Sequence, residues 1–422
     1  MNEAVRTTTL TSGVRVATEA VPGTASVAIG FLVDTGSAHE SAAENGVSHF
    51  IEHLVFKGTK RRSPRRIAEE IESLGGSINA FTGKEQTCFH ARIAAEHLAV
   101  AVDVLADLLT GALLRSDDVE LERDVVLQEI LEVEDTPDDY VHDFHLERYW
   151  PGTALGRPVA GSVESVTGLS LDAIKAYRAR HYCADRLIVA AAGNVDHDAL
   201  VALLEPALSG IAIKGEAAGL IAVPKASAGV FASGRDLEQV HVVFGTNGLR
   251  ADDPRHEAAE VLITALGGGM SSRLFQSVRE ERGLAYSIYA FHSAFAVAGY
   301  SGVYAAVPRN SAAELVELVL AELAEVADKG LSADEVDRTR NQLIGGIPLA
   351  LESTENRMFR LARDLAYFGK TVPLDETIEQ IRRVTPEDTR VLASELFERS
   401  TMSIALHGEI EATAVPAPMD AA

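Results

Sequence analysis

Two histidines and a glutamate fall within five residues of the segment HFIEHLVFKGT, residues 49–59. Val47, Phe50, Ile51, Leu54 and Val55 recur at helical spacing and Gly58 offers a stop, so the segment reads as a short amphipathic helix. His49 and His53 are then one turn apart on the same side, the spacing at which two imidazoles reach one metal ion. Glu52 lies roughly 60° around the helix from His49, where a carboxylate flanks a metal without occupying a ligand position. From there it can take a proton from a water whose pKa zinc lowers from about 15.7 to about 7. The plainer reading is a helix that happens to carry two histidines. Composition gives about 0.06 chance occurrences of His-x-x-acid-His in a chain with 13 His and 62 acidic residues, so the motif stands above that background.

A carboxylate is the usual third ligand of such a set. A helix expected to start near Ser116, with Asp117 and Asp118 in its first turn and Pro137 beyond its end, offers Glu120, Glu122, Glu129, Glu132 and Glu134. Spacing does not choose among the five. Glu122 and Glu129 share a face but sit about 10 Å apart along the axis, so one can ligate while the other supports it.

The elements that must position these residues follow from patterning. Strand-like segments (VRVATEAV, SVAIGFLVDTG, TCFHARIA, LIVAAAGNV) alternate with long helical ones (AVAVDVLADLLTGALL, DVELERDVVLQEILEVE), which predicts an α+β fold. The 422 residues, 47% apolar and 24% charged, suffice for two or three full cores. A net charge of -24 repels phosphate backbones and anionic lipid, so neither a nucleic-acid nor a membrane-surface role is expected; neutral or basic partners suit it better. Cys88 and Cys183 are too few for a disulfide framework. No apolar run approaches spanning length and no leader pattern opens the chain, so a cytoplasmic bacterial protein is expected. KGTKRRSPRR packs six basic residues into ten, but Ser63-Pro64 reads as a helix start, so a solvated face is expected there rather than a binding patch.

Composition loosens near 210–230, which suggests domains at 1–213 and 230–411, a linker at 214–229 and a disordered tail at 412–422. The halves echo each other. LRSDDVELERDVVLQEI from Leu114 aligns without gaps to LSADEVDRTRNQLIGGI from Leu331, an offset of 217, with five of seventeen positions identical. Two similar domains from an internal duplication are therefore expected. At this offset Glu129 faces Gly346 and Glu122 faces Thr339, so the chemistry of the motif belongs to the first half alone.

His49 to His53, then seventy-five residues, then Glu129 within ERDVVLQEI resembles the inverted zinc motif of the pitrilysin or insulinase metallopeptidases, in the branch of the mitochondrial processing peptidase β subunit and its bacterial single-chain relatives. The likeness continues through FKGT, GGSINAFTGKEQT at 75–87, EDTPDD at 134–139, LGRPVAGSVESV at 155–166 and, in the second half, GGGMSSRLFQSVREERGLAYS. It implies a mainly antiparallel sheet covered by helices in each domain. It implies His49, His53 and Glu129 as ligands of one Zn2+ per chain, Glu52 as general base and Glu122 as the carboxylate that supports a ligand.

The resemblance also implies Arg279 and Tyr286 as the pair that holds the substrate carbonyl, and an edge strand at Asn79, Ala80 and Phe81 to which the peptide adds. On their own these would read as a solvated helix charge, a half-buried strand residue and an ordinary hairpin strand. Larger members of the family join four such domains, with zinc on the first and the Arg/Tyr pair on the fourth. A two-domain chain that carries both sets is expected to dimerise with composite sites and to cut extended peptides inside a closed chamber. The rival readings are a non-catalytic assembly subunit of the same fold, in which metal motifs are typically degenerate, and a small-molecule enzyme such as the lyase of autoinducer synthesis, which is far shorter and unduplicated.

Overall fold

The computed structural model describes residues 5–215 and 221–418. The chain divides into two compact units, one of Met1–Leu131, Arg157–Ile221 and Leu349–Val372, the other of Glu132–Gly156, Ala222–Pro348 and Pro373–Ala422. In the first, β1 (Val5–Thr9), β2 (Arg15–Ala20), β3 (Ser26–Val33), β4 (Ser77–Thr82), β5 (Thr87–Ala94) and β6 (Leu187–Gly193) form a sheet in the order β1-β2-β6-β3-β5-β4. In the second, β7 (Gly229–Gly234), β8 (Val240–Gly248), β9 (Ser287–Ala294), β10 (Gly299–Val307) and β11 (Ser403–Gly408) take the order β7-β11-β8-β10-β9.

Matching β2 to β7 makes five strands of the first sheet agree in order with the five of the second, and leaves β1 without a counterpart. The first matched pair is parallel in each, β2 with β6 and β7 with β11, and the remaining pairs are antiparallel. The sequence echo thus reflects a repeated α+β fold.

Strand alternation sends side chains to two apolar faces. In the first unit Val27, Ile29, Phe31 and Val189 join a core with the helices Val47–Val55 and Leu98–Gly111. On the other face Ala28, Leu32, Ile188, Ala190 and Ala192 meet Met358, Leu361, Ala362 and Leu365 of the helix Thr354–Phe368. This second helix comes from the other half of the chain. In the second unit the corresponding cover is Pro137–Tyr149, whose Val141 and Phe144 pack on Val243, Tyr304, Ala306 and Ala405. The two covering helices start at Pro137 and Thr354, the same 217-residue offset, so the halves have exchanged equivalent helices.

Polar anchors fix each helix. Glu19, buried on β2, pairs with Arg357 and, at 3.0 Å, with Arg360, while Arg15 Nη1 donates to the Leu365 carbonyl at 2.7 Å. His145 Nε2 lies 2.7 Å from Ser403 Oγ, and the Tyr300 hydroxyl bonds its other ring nitrogen. Contiguous boundaries at 213 and 230 therefore do not separate the units, because each sheet has two apolar faces and takes one cover from the other half.

Two further expectations are corrected. The tail is folded as far as residue 418: Ala412–Ala414 makes a turn, and Val415, 6% exposed, joins the second unit's core. Of the linker, residues 216–220 lie outside the described residues, as do 419–422 of the tail. The basic run does begin a helix, Pro64–Glu72 capped by Ser63, but Arg62 is buried and paired with Asp107 at 2.8 Å rather than solvated. Among the described residues no helix is long and apolar enough to cross a membrane.

Candidate metal centre

The helix Val47–Val55 buries Val47, Phe50, Ile51, Leu54 and Val55 and leaves His49, Glu52 and His53 partly open. Its start is held by Glu40, a buried carboxyl group that accepts the N–H of Gly46 at 2.7 Å and of Ser48 at 2.8 Å; burial pushes its pKa up to about 7, and these bonds oppose the rise. Gly46 enters the helix at φ 94°, and a Cβ there would come within 2.6 Å of the Ala160 carbonyl, so the turn admits glycine alone.

His49 Nε2 and His53 Nε2 lie 3.6 and 3.4 Å from Glu129 Oε2, and ligand atoms from all three residues fall within 4.8 Å of one another. Tetrahedral zinc with bonds of about 2.0–2.1 Å holds its ligands about 3.4 Å apart, so the donor set fits such an ion. The far nitrogen of His53, Nδ1, meets Glu122 Oε2 at 3.2 Å, and Lys57 Nζ sits 2.5 Å from Glu122 Oε1. A carboxylate behind a ligand imidazole fixes its tautomer and aims its other nitrogen. Burial first, and the charge of His53 second, bring the His49 imidazole down to about 4, so it offers a lone pair at neutral pH. Of the five glutamates that spacing left open, Glu122 and Glu129 face the histidines, while Glu120 turns outward to Arg123.

Glu52 Oε2 accepts a 2.6 Å hydrogen bond from Thr82 Oγ1 at the end of β4. Burial pushes the Glu52 carboxyl above its ordinary value, and the Thr82 bond opposes that rise. β4 is the edge of its sheet, with Ser77, Asn79 and Phe81 exposed and Ile78, Ala80 and Thr82 turned inward. Asn79 Oδ1 accepts the Ala80 N–H at 2.8 Å, and the Phe81 ring packs edge-on against Phe359 of the exchanged helix at 5.6 Å.

Arg279 and Tyr286 belong to the second unit and meet each other there. Arg279 lies in a π-helical turn, Phe275–Glu280, with its guanidinium carbon 4.6 Å from the ring centroids of both Phe275 and Tyr286. The Arg279 Nε also stands 3.8 Å from Glu280 Oε1, and Tyr286 is 80% exposed just before β9. Sequence reasoning missed Glu40, Lys57 and Thr82 as supports of the site. The alternation of β4, which turns Thr82 to the side of Ala80, was the one available signal.

A duplicated α+β fold with a His-x-x-Glu-His helix backed by a distant glutamate defines a class, and the comparisons agree. The profile described as Insulinase (Peptidase family M16) matches residues 15–163, and that described as Peptidase M16 inactive domain matches 168–343. The chain belongs to the M16 peptidase family. It is 43% identical over 403 residues to an uncharacterized zinc protease of Streptomyces coelicolor, covering 94% of this chain and 88% of that one. To the uncharacterized zinc protease YmxG of Bacillus subtilis it is 37% identical over 389 residues, 92% and 95% of the two chains. Among solved structures, a peptidase M16 inactive domain from Pseudomonas fluorescens superposes with a TM-score of 0.90 at 20% identity, covering 96% of this chain and 98% of that one. A protease from Helicobacter pylori gives 0.89 at 19% identity, covering 96% and 99%.

Proposed function

We propose that this chain is a zinc-dependent endopeptidase that hydrolyses extended or unfolded peptides. The observation that carries the reading is the convergence of His49, His53 and Glu129 with the Glu52 carboxylate on the same helix beside them. His49, His53 and Glu129 would hold a zinc ion, which would supply an acidified water and polarise a scissile carbonyl. Glu52 then takes the proton and passes it to the departing amine, with Thr82 holding the carboxylate in place. Glu122 keeps His53 aimed, and no covalent intermediate forms. Arg279 and Tyr286 donate to the carbonyl oxygen as negative charge builds there.

The peptide adds to β4 as a further strand at Asn79, Ala80 and Phe81, where main-chain pairing gives affinity with loose sequence demand and displaces the Asn79 side chain from the Ala80 N–H. The net charge of -24 favours basic peptides. The working form is a homodimer in the bacterial cytoplasm, closed into a chamber, in which each zinc faces Arg279 and Tyr286 of the partner subunit. A non-catalytic assembly role suits the fold equally, but the complete ligand set and base favour the enzyme.

Digestion of an unfolded-peptide library, with and without chelator, tests the reading. Glu52→Gln is expected to keep its zinc and lose cleavage, because every ligand stays and the base goes. His53→Ala is expected to lose both. A fully active Glu52→Gln protein would refute the role of Glu52.

A further inference from the structure

We infer a second divalent-cation site, in the second unit, formed by His256, Glu260 and His292 and suited to an ion of the zinc class. His256 and Glu260 are one turn apart on the helix His256–Gly267, and His292 lies on β9, the edge strand against which that helix packs. A ligand atom from each residue lies within 4.8 Å of the other two. His256 Nε2 and His292 Nδ1 each stand 3.8 Å from Glu260 Oε1. A shared ion holds neighbouring donors about 3.4 Å apart, so closure asks for a shift of a few tenths of an ångström.

His292 is the independent observation. Its side chain is 2% exposed, and its Nδ1 is buried without a hydrogen-bond partner among the described residues. A buried imidazole nitrogen left in that condition is uncommon and calls for a partner. Its other nitrogen, Nε2, lies 3.2 Å from the Leu249 carbonyl oxygen, to which it can donate. That is the arrangement that turns the lone pair of Nδ1 toward Glu260 and that ligand histidines use. The Leu249 N–H is 3.1 Å from the same nitrogen, so without an ion the ring can adopt the opposite tautomer, and a cation selects between the two. Gly248 presses from the side: a Cβ there would come within 2.9 Å of His292 Cδ2, so the ring is already oriented. His256 and Glu260 stay partly exposed, which leaves room for water to complete the coordination. Two imidazoles and one carboxylate suit zinc, nickel or copper rather than magnesium or calcium.

The cluster is not a remnant of the first site. The 217-residue offset carries His49 onto Leu266, at the far end of the same helix, and His53 onto Met270, beyond that end. An ion held by His256, Glu260 and His292 would instead pin the beginning of that helix to β9, the strand that starts immediately after Tyr286.

The test uses the full chain with its first site removed, as His49→Ala/His53→Ala, titrated with zinc chloride in a calorimeter after chelator treatment. One ion per chain is expected to bind and to raise the melting temperature. Adding His256→Ala or Glu260→Gln, both partly exposed, is expected to abolish both effects while the metal-free protein stays folded. Absence of zinc binding in the folded double variant overturns the inference, and so does equal binding after either addition. None of these readouts depends on cleavage, so their failure would leave the proposed peptidase untouched.

Discussion

Thr82 Oγ1 donates a 2.6 Å hydrogen bond to Glu52 Oε2, which ties the edge strand β4 directly to the carboxylate on the motif helix. In the proposed mechanism the strand that receives the peptide and the group that receives the proton are thus one hydrogen bond apart.

Thr82→Val removes that donor at nearly constant shape. The bond stabilises the charged carboxylate, so without it burial acts unopposed by Thr82 and the Glu52 pKa moves higher. A base must be deprotonated to work, so the acid limb of the kcat/KM profile is expected to move to higher pH in the variant, with zinc content unchanged. A limb that stays in place, or moves to lower pH, would remove Thr82 from the mechanism.

Glu122→Gln keeps a side chain of the same size behind His53 but deletes the charge shared with Lys57. Zinc affinity or activity is expected to fall about 10- to 100-fold, the usual cost of altering a ligand's hydrogen-bond partner. Glu129→Gln should cost far more. Metal analysis separates the two, and complete loss of zinc from Glu122→Gln alone would exchange their roles.

Glu19→Ala strips a buried carboxylate from between Arg357 and Arg360 and loosens the exchanged helix on the first sheet. Breaking a buried pair by removing one partner costs about 3–5 kcal/mol, so a clear drop in melting temperature is expected. A melting temperature within a degree or so of the parent would show that apolar packing alone holds the helix.

Composite sites predict complementation. Glu52→Gln and Arg279→Ala chains, each inactive alone, are to be mixed under conditions in which subunits exchange. Random pairing makes about half of the dimers mixed, each with one intact site, so about a quarter of parental activity should return. No recovery despite demonstrated exchange would mean that each chain completes its own site.

The sequence displayed the site better than the architecture. His49, Glu52 and His53 were legible because one helical turn is a local rule, and β3, β5 and β6 because their apolar runs are long. Glu129 was not separable from its neighbours by spacing, since helical period gives a face and not the partner across from it. For the same reason nothing in residues 137–149 or 354–368 announced which sheet each helix would cover. Val415 belongs to a tail whose Ala and Pro content reads as unstructured, yet its side chain is buried in the second unit's core just after the turn Ala412–Ala414.

The exchanged helices bear on how such a chain arises. A solitary copy of either half would leave a whole apolar face of its sheet bare, because the helix that covers the face is encoded in the other copy. Two identical copies trading that helix would close both faces at once, as domain-swapped dimers do. The present chain has the connectivity that fusing such a pair would give, with Glu19 gripping the helix encoded in the other half. A fused pair no longer needs its halves to recognise each other, which leaves each free to diverge, and at the 217-residue offset Glu129 of the first half already faces Gly346 of the second.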